Sequence, residues 1–296
     1  MKAKICVLLV PFLMGCAAAT EVATTVGVET GVISQTQKES IDKTAGKAET
    51  AARPITEAEE YYIGRGVAAR ILSQYKLYNH PDAIRYINRV GQTLALNSSR
   101  PYTYGRYHFA ILDTEEMNAF ACPGGIIFIT KGMLRLSQNE DQLAAVLAHE
   151  IGHVTQKHGL KSISQARWAE VVTTLGSEAA RSYTGAELDS LVHLFEGTID
   201  DVFRTLVVNG YGRTAEHEAD RLAIGSLHTS GYSPREFVRL LERMGKAQGP
   251  KPSGILATHP GLDDRLERAK RDPRLGEGTP VAAERAARFA RVAGCW

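Results

Sequence analysis

Hydrophobic residues recur at two periods along this chain, and the change of period predicts where helices give way to strands. After Thr56, a helix N-cap candidate followed by Glu57 and Glu59, the residues Ile63, Val67, Ile71 and Tyr75 fall at helical spacing. A second helical stretch opens at Pro81 and carries Ile84, Ile87 and Leu94. The spacing then shortens. Residues 107–112 and 117–121 have strand character, and 126–130 form the continuous apolar run of a buried strand. Pro123-Gly124-Gly125 breaks the chain between the last two, so the pattern predicts a small sheet with a hairpin.

Helical period returns after Ser137 or Asn139, with Glu140 and Asp141 near the N-terminal end. Leu143, Leu147, Ile151 and Val154 form one stripe, and Ala144, Ala145, Ala148 and Gly152 cover much of the remainder. From Gln142 to Thr155 the only formal charge is Glu150. A helix that is apolar or small nearly all round is predicted to be buried. Residues 160–208 show three helix-like segments separated by Gly176 and Gly185, with no catalytic pattern. A loop at Gly210-Tyr211-Gly212 leads into a helix in which Glu216 and Asp220 share a face with Ala219, Ala223 and Leu227, while Glu218 points outward with Arg221. The sum is an α+β fold, mostly helical, with the small sheet beside the buried helix.

That buried helix carries the chemistry. His149 and His153 are four apart, so both imidazoles can face one ion, and Glu150 completes the HExxH arrangement of zinc hydrolases. Zinc with three protein ligands keeps a position for water, which Glu150 is expected to activate as general base. A metzincin site would continue with glycine and histidine where Gln156 and Gly159 stand. His158 is one residue early and, on a continuing helix, would point away from the face of His149 and His153. The third ligand must therefore come from elsewhere. Two inward carboxylates are costly unless paired or metal-bound, so Glu216 is expected as that ligand and Asp220 as the group orienting a ligand histidine through its other ring nitrogen. The hairpin upstream is expected either to take the substrate backbone by strand addition or to be purely structural.

Composition narrows the setting. The chain has 296 residues, of which 44% are hydrophobic, enough for one large domain or two small ones. A formal charge of +2, with no basic run interleaved with aromatics, gives no reason to expect nucleic acid. Lys2 and Lys4 precede a short apolar run, 5–13, that reads as an export signal spanning 1–15. Its ending, Leu13-Met14-Gly15-Cys16, resembles the lipobox of bacterial lipoproteins. That resemblance implies lipidation of Cys16 and, with Ala17 rather than Asp next to it, an anchor on the periplasmic face of the outer membrane of a Gram-negative bacterium. Residues 16–55, poor in aromatics, are expected to be a flexible tether. Cys122 and Cys295 remain, and a disulfide between them is left open. The tail, 273–296, ends in a predicted helix over 281–292 with Arg285, Arg288 and Arg291 on one side, a docking helix or a membrane-surface contact.

HExxH followed some sixty residues later by ExxxD, with the hairpin Asn118-Ala119-Phe120-Ala121 to Pro123-Gly124-Gly125 upstream and Tyr211-Gly212-Arg213-Thr214 before Glu216, resembles the gluzincin peptidases. That family includes the CAAX prenyl protease and the mitochondrial OMA protease, and its soluble bacterial branch holds the periplasmic BepA-like and LoiP-like proteases. The resemblance runs over 56–272 and implies a zincin-like metallopeptidase domain holding one zinc ion per chain through His149, His153 and Glu216, with Glu150 as the base. It also implies a role for His259, in Thr258-His259-Pro260, as a gating or additional ligand. Asn118, Ala119, Phe120, Gly124 and Gly125 become the candidates for holding a substrate strand. The expected function is cleavage of unfolded or misassembled envelope proteins. The alternative is a gated or non-proteolytic periplasmic chaperone. No helical repeats of about 34 residues follow, so the partners of the BepA-like branch do not carry over, and the sequence leaves the oligomeric state open.

Overall fold

The computed structural model describes residues 16–29, 31, 34–39, 55–163, 197–247, 254–276 and 282–296. The export signal over 1–15 and most of the helix-like segments between 160 and 208 lie outside the described residues. The chain divides into two compact units, one of residues 1–54 with 165–182, the other of 55–164 with 183–296. In the first, Cys16–Glu29 is an α-helix, so part of the stretch read as a flexible tether is helical. Sparse apolar surface argues against a packed core, but a helix needs only local hydrogen bonds, and the alanine-rich run before Gly27 favours it. Among the described residues no helix is long and apolar enough to cross a membrane.

The second unit is mostly helical with one small sheet, in line with the α+β expectation. Helix α1 (Glu57–Leu72) opens with a capping box, in which Thr56 and Glu59 each bond the other's backbone. Helix α2 (Pro81–Leu96) has proline in its first turn and a cap from His80. Three strands follow: β1 (His108–Leu112), β2 (Ala119–Cys122) and β3 (Ile126–Thr130). Their order is β1-β3-β2, with β1 parallel and β2 antiparallel to β3, so that β2 is an edge. The turn between β2 and β3 rests on α1. Gly124 and Gly125 both have positive φ, the Gly124 N–H donates to buried Glu60, and a Cβ at Gly64 would collide with the Pro123 carbonyl.

Helices α3 (Lys131–Leu136) and α4 (Glu140–Thr155) come next. Asn139 caps α4 by accepting from the Gln142 N–H at 2.8 Å, and the helix is buried from Glu140 through Val154. After the short turn α5 (His158–Lys161), the described chain continues through α6 (Arg213–Thr229), α7 (Arg235–Ala247), α8 (Ile255–Thr258), α9 (Leu262–Lys270) and α10 (Ala283–Ala293). Small residues let α4 and α6 approach closely, since a Cβ on Gly152 would come within 3.0 Å of the Ala219 Cα. That crossing brings the histidines of one helix to the carboxylates of the other.

The tail helix docks on the domain. Phe289 and Trp296 are buried, and the Trp296 ring lies 6.2 Å from Tyr86. Arg285 holds Asp141 through Nε at 2.7 Å and Nη2 at 3.1 Å, while Arg288 holds Glu140. Both carboxylates are fully buried at the start of α4, where its dipole favours them, but removing a partner leaves a bare buried charge. Arg285→Ala is therefore expected to lower unfolding stability by about 3 kcal/mol in urea titration. Arg85→Ala, which breaks a pair whose side chains are each 65% exposed, is expected to change it by less than about 1 kcal/mol.

Candidate active site

Helix α4 presents His149, Glu150 and His153, and α6 presents Glu216 and Asp220; His259 follows α8, and Arg265 comes from α9. All seven side chains are buried. The Nε2 atoms of His149 and His153 are 3.1 Å apart, and each lies 3.5 Å from a Glu216 oxygen. His259 Nδ1 joins them, 3.2 Å from His149 Nε2 and 3.0 Å from Glu216 Oε1. One donor atom from each of these four residues falls within 4.8 Å of all the others. Nitrogen and oxygen ligands at the usual distances from a tetrahedral zinc ion are about 3.3 Å apart, so the cluster has the size and the chemistry of a zinc site.

Around this cluster the carboxylates are held unequally. Asp220 Oδ1 lies 2.9 Å from His149 Nδ1. Arg265 then ties the acids together, donating to Asp220 at 2.7 and 2.8 Å and to the His259 carbonyl at 3.2 Å, with its Nη1 2.8 Å from Glu216 Oε2 as an ion pair. Glu150 differs: both of its oxygens are buried without a hydrogen-bond partner, and His259 Nε2 is 3.6 Å away. The fold pairs its other buried acids, and a buried carboxylate left without a partner costs stability.

Proton affinities follow these contacts. Burial raises Glu150, although the charges of His259 and His149 oppose it. Burial also acts to raise Glu216, but the charges of His259 and Arg265 and its hydrogen bonds prevail and hold it well below the usual carboxylate range. For His149, burial and Arg265 disfavour the cation, yet the bonds to Asp220 and Glu216 push it up to about 9. Burial and the neighbouring His149 hold His153 well below its ordinary value.

Three features differ from the sequence expectations or go beyond them. The first is His158, which a continuing helix would point away from the site. Helix α4 stops instead, Lys157 takes the left-handed conformation at φ 54°, and the turn swings His158 Nδ1 to 2.9 Å from His153 Nδ1. The second is Arg265, which shares a helical face with Leu262 and Ala269, so the phase reasoning applied to Glu216 would also have turned it inward. The third is Tyr211, whose ring stacks on His153 at 4.0 Å while its hydroxyl is buried without a partner.

The substrate-strand candidates are covered. Asn118, Ala119, Phe120, Gly124 and Gly125 are all buried, although β2 is a sheet edge. The segment 254–259 lies over the start of that edge: the Ile255 N–H donates to the Met117 carbonyl at 2.8 Å and the Thr258 hydroxyl to Asn118 Oδ1 at 3.2 Å. Cys122 and Cys295 are free thiols, and burial with the Glu150 charge raises the Cys122 pKa.

Comparison with known proteins agrees with this geometry. The beta-barrel assembly-enhancing protease of Escherichia coli K12 is 28% identical over 252 residues, covering 84% of this chain and 51% of that protein. The mitochondrial metalloendopeptidase OMA1 of Schizosaccharomyces pombe is 28% identical over 201 residues, 67% of this chain and 54% of that protein. Its counterpart in Saccharomyces cerevisiae is 29% identical over 160 residues, 52% and 43% of the two chains. The chain thus spans about half the length of the curated relatives it matches. Peptidase family M48 matches residues 81–272, which include His149, Glu150, His153, Glu216 and His259. With well over half of its length matched, the chain belongs to peptidase family M48, a family of zinc metalloendopeptidases.

Proposed function

We propose that this chain is a zinc-dependent endopeptidase that cleaves unfolded or misassembled proteins of the bacterial envelope, with one zinc ion held by His149, His153 and Glu216. The observation that carries the reading is Glu150, a buried carboxylate without a hydrogen-bond partner beside a cluster of buried metal donors. Zinc there would supply a Lewis acid that polarises the scissile carbonyl and acidifies water. Glu150 takes a proton from the attacking water as the water oxygen bonds to the carbonyl carbon, then delivers that proton to the amine as the C–N bond breaks. Burial raises its proton affinity, the direction that strengthens a carboxylate as a proton acceptor. Asp220 orients His149, and Arg265 keeps the surrounding acids ionised.

Substrate class and location rest on the relatives and on the N-terminal sequence. A protease named for enhancing beta-barrel assembly and a mitochondrial metalloendopeptidase both support protein substrates. Leu13-Met14-Gly15-Cys16 supports lipidation of Cys16 and attachment to the periplasmic face of the outer membrane. Cys16→Ser is expected to move the protein from the membrane fraction to the soluble periplasmic fraction.

Glu150→Gln is expected to retain zinc by metal analysis while losing about 10²–10⁴-fold in cleavage of an unfolded protein. His149→Ala is expected to lose both. Undiminished cleavage by Glu150→Gln would end the enzymatic reading.

A second reading is favoured by His259. It adds a fourth protein donor where a catalytic zinc site keeps a position open, and its segment is bonded to Met117 and Asn118 at the entry to β2. Such a site is closed, and the protein at rest is a gated enzyme or a chaperone. His259→Ala is expected to raise cleavage between about 5- and 150-fold, the range of an ordinary coupling energy between two states. If wild type and variant are both silent while binding of unfolded protein persists, the chaperone reading holds.

A further inference from the structure

His153 has a neighbour that no motif assigns. Its Nε2 faces His149 Nε2 at 3.1 Å and Glu216 at 3.5 Å, which makes it the metal-facing nitrogen. The other ring nitrogen, Nδ1, must then carry the proton, and it meets His158 Nδ1 at 2.9 Å. His158 accepts that hydrogen bond, so its own proton sits on Nε2, 3.0 Å from Glu218 Oε2. His158 is buried, whereas the Glu218 side chain is 41% exposed. With His153 Nε2 turned toward the metal, one set of proton positions satisfies every contact along the line.

We propose that His158 and Glu218 are positioning residues that hold His153 in the tautomer and ring orientation needed for metal ligation. The proposal rests on the reading of His153 as a ligand. Glu218 polarises His158, which makes Nδ1 a stronger acceptor and His153 Nε2 a stronger donor toward the ion. The spacing is chemically sensible. His149 receives its support directly from Asp220, a buried carboxylate already neutralised by Arg265. A further carboxylate placed directly on His153 would crowd a site that already buries Glu150, Glu216 and Asp220. A neutral imidazole carries the effect inward and leaves the charge at the surface, where water screens it.

Local backbone supports the arrangement. Lys157, a non-glycine residue, is held at φ 54°, and without that turn His158 could not reach His153. Its ammonium pairs with Glu60 at 3.2 Å, and Gly159 packs where a Cβ would lie 3.3 Å from Pro123. The turn is thus fastened from two sides, and His158 with it.

The test is zinc affinity of the full chain by chelator competition, read beside the thermal midpoint of the metal-free protein. His158→Phe keeps the ring volume but removes the acceptor, and is expected to weaken zinc binding by about 10–100-fold. His158→Gln, whose amide oxygen can accept the hydrogen bond, is expected to recover part of that loss. Glu218→Ala is expected to weaken binding by about tenfold with the midpoint of the metal-free protein unchanged, and to add less than about twofold when His158 is already Phe. Zinc affinity within about twofold of wild type in Glu218→Ala overturns the proposal, as does a Glu218→Ala loss that persists in full without His158. Should His158→Phe fail to fold, Glu218→Ala on its exposed side chain decides alone. A wild-type chain that binds no zinc, or a His153→Ala variant that binds it equally well, instead overturns the metal-site reading and this inference with it.

Discussion

The site depends on how closely α4 and α6 can approach. Gly152 and Ala219 meet at their crossing, where neither side chain extends past a methyl group, and the polar residues on either side of that contact are thereby brought within bonding distance. The closeness has an electrostatic cost. Glu150, Glu216 and Asp220 are buried beside one guanidinium, that of Arg265, and carboxylates so crowded cannot all remain ionised without a counter-charge. A divalent cation would offset that excess, and the four neighbouring donors are spaced to accept one. Packing and charge therefore point to the same conclusion from different directions.

Much of this was legible before any coordinates, because periodicity reports burial. The all-round apolar character of residues 142–155 predicted a buried helix, and the phase of Glu216 and Asp220 against Ala219 and Ala223 predicted inward carboxylates. What escaped was set by single backbone angles and distant packing. No periodic rule indicates that a lysine will adopt a positive φ, so His158 was assigned to a helix that had already ended. The bond from Thr258 to Asn118, at the start of the β2 edge, was equally hidden, since it joins residues 140 apart in the sequence. The helix at Cys16–Glu29, within the stretch expected to be a tether, shows the opposite limit of hydrophobic patterning, since a helix can form from local bonds alone.

Residues 254–259 join two parts of the fold, the entry to β2 and the cluster of metal donors. Their backbone is bonded to the start of β2, the Tyr211 N–H donates to the Thr258 carbonyl, and the same segment ends in His259 among the metal donors. The positive φ of Gly254, where a Cβ would meet the Met117 carbonyl at 2.4 Å, allows the chain to lie this close to the sheet. The chain just before β2 and the fourth donor position are therefore held by one piece of chain, and a movement that freed one would loosen the other.

The arginine clamp from α10 has a bearing on the order in which the chain can fold. Glu140 and Asp141 are buried at the head of α4, and their cationic partners lie about 145 positions later in the sequence. Before α10 docks, neither acid has its guanidinium partner. Until then α4 could be buried only with two unneutralised acids at its first turn, a state that the electrostatics of a low-dielectric interior disfavour. Burial of the α4 N-terminus is in this way coupled to the docking of α10, so the helix that carries His149 and His153 owes part of its stability to a helix that contributes no metal donor.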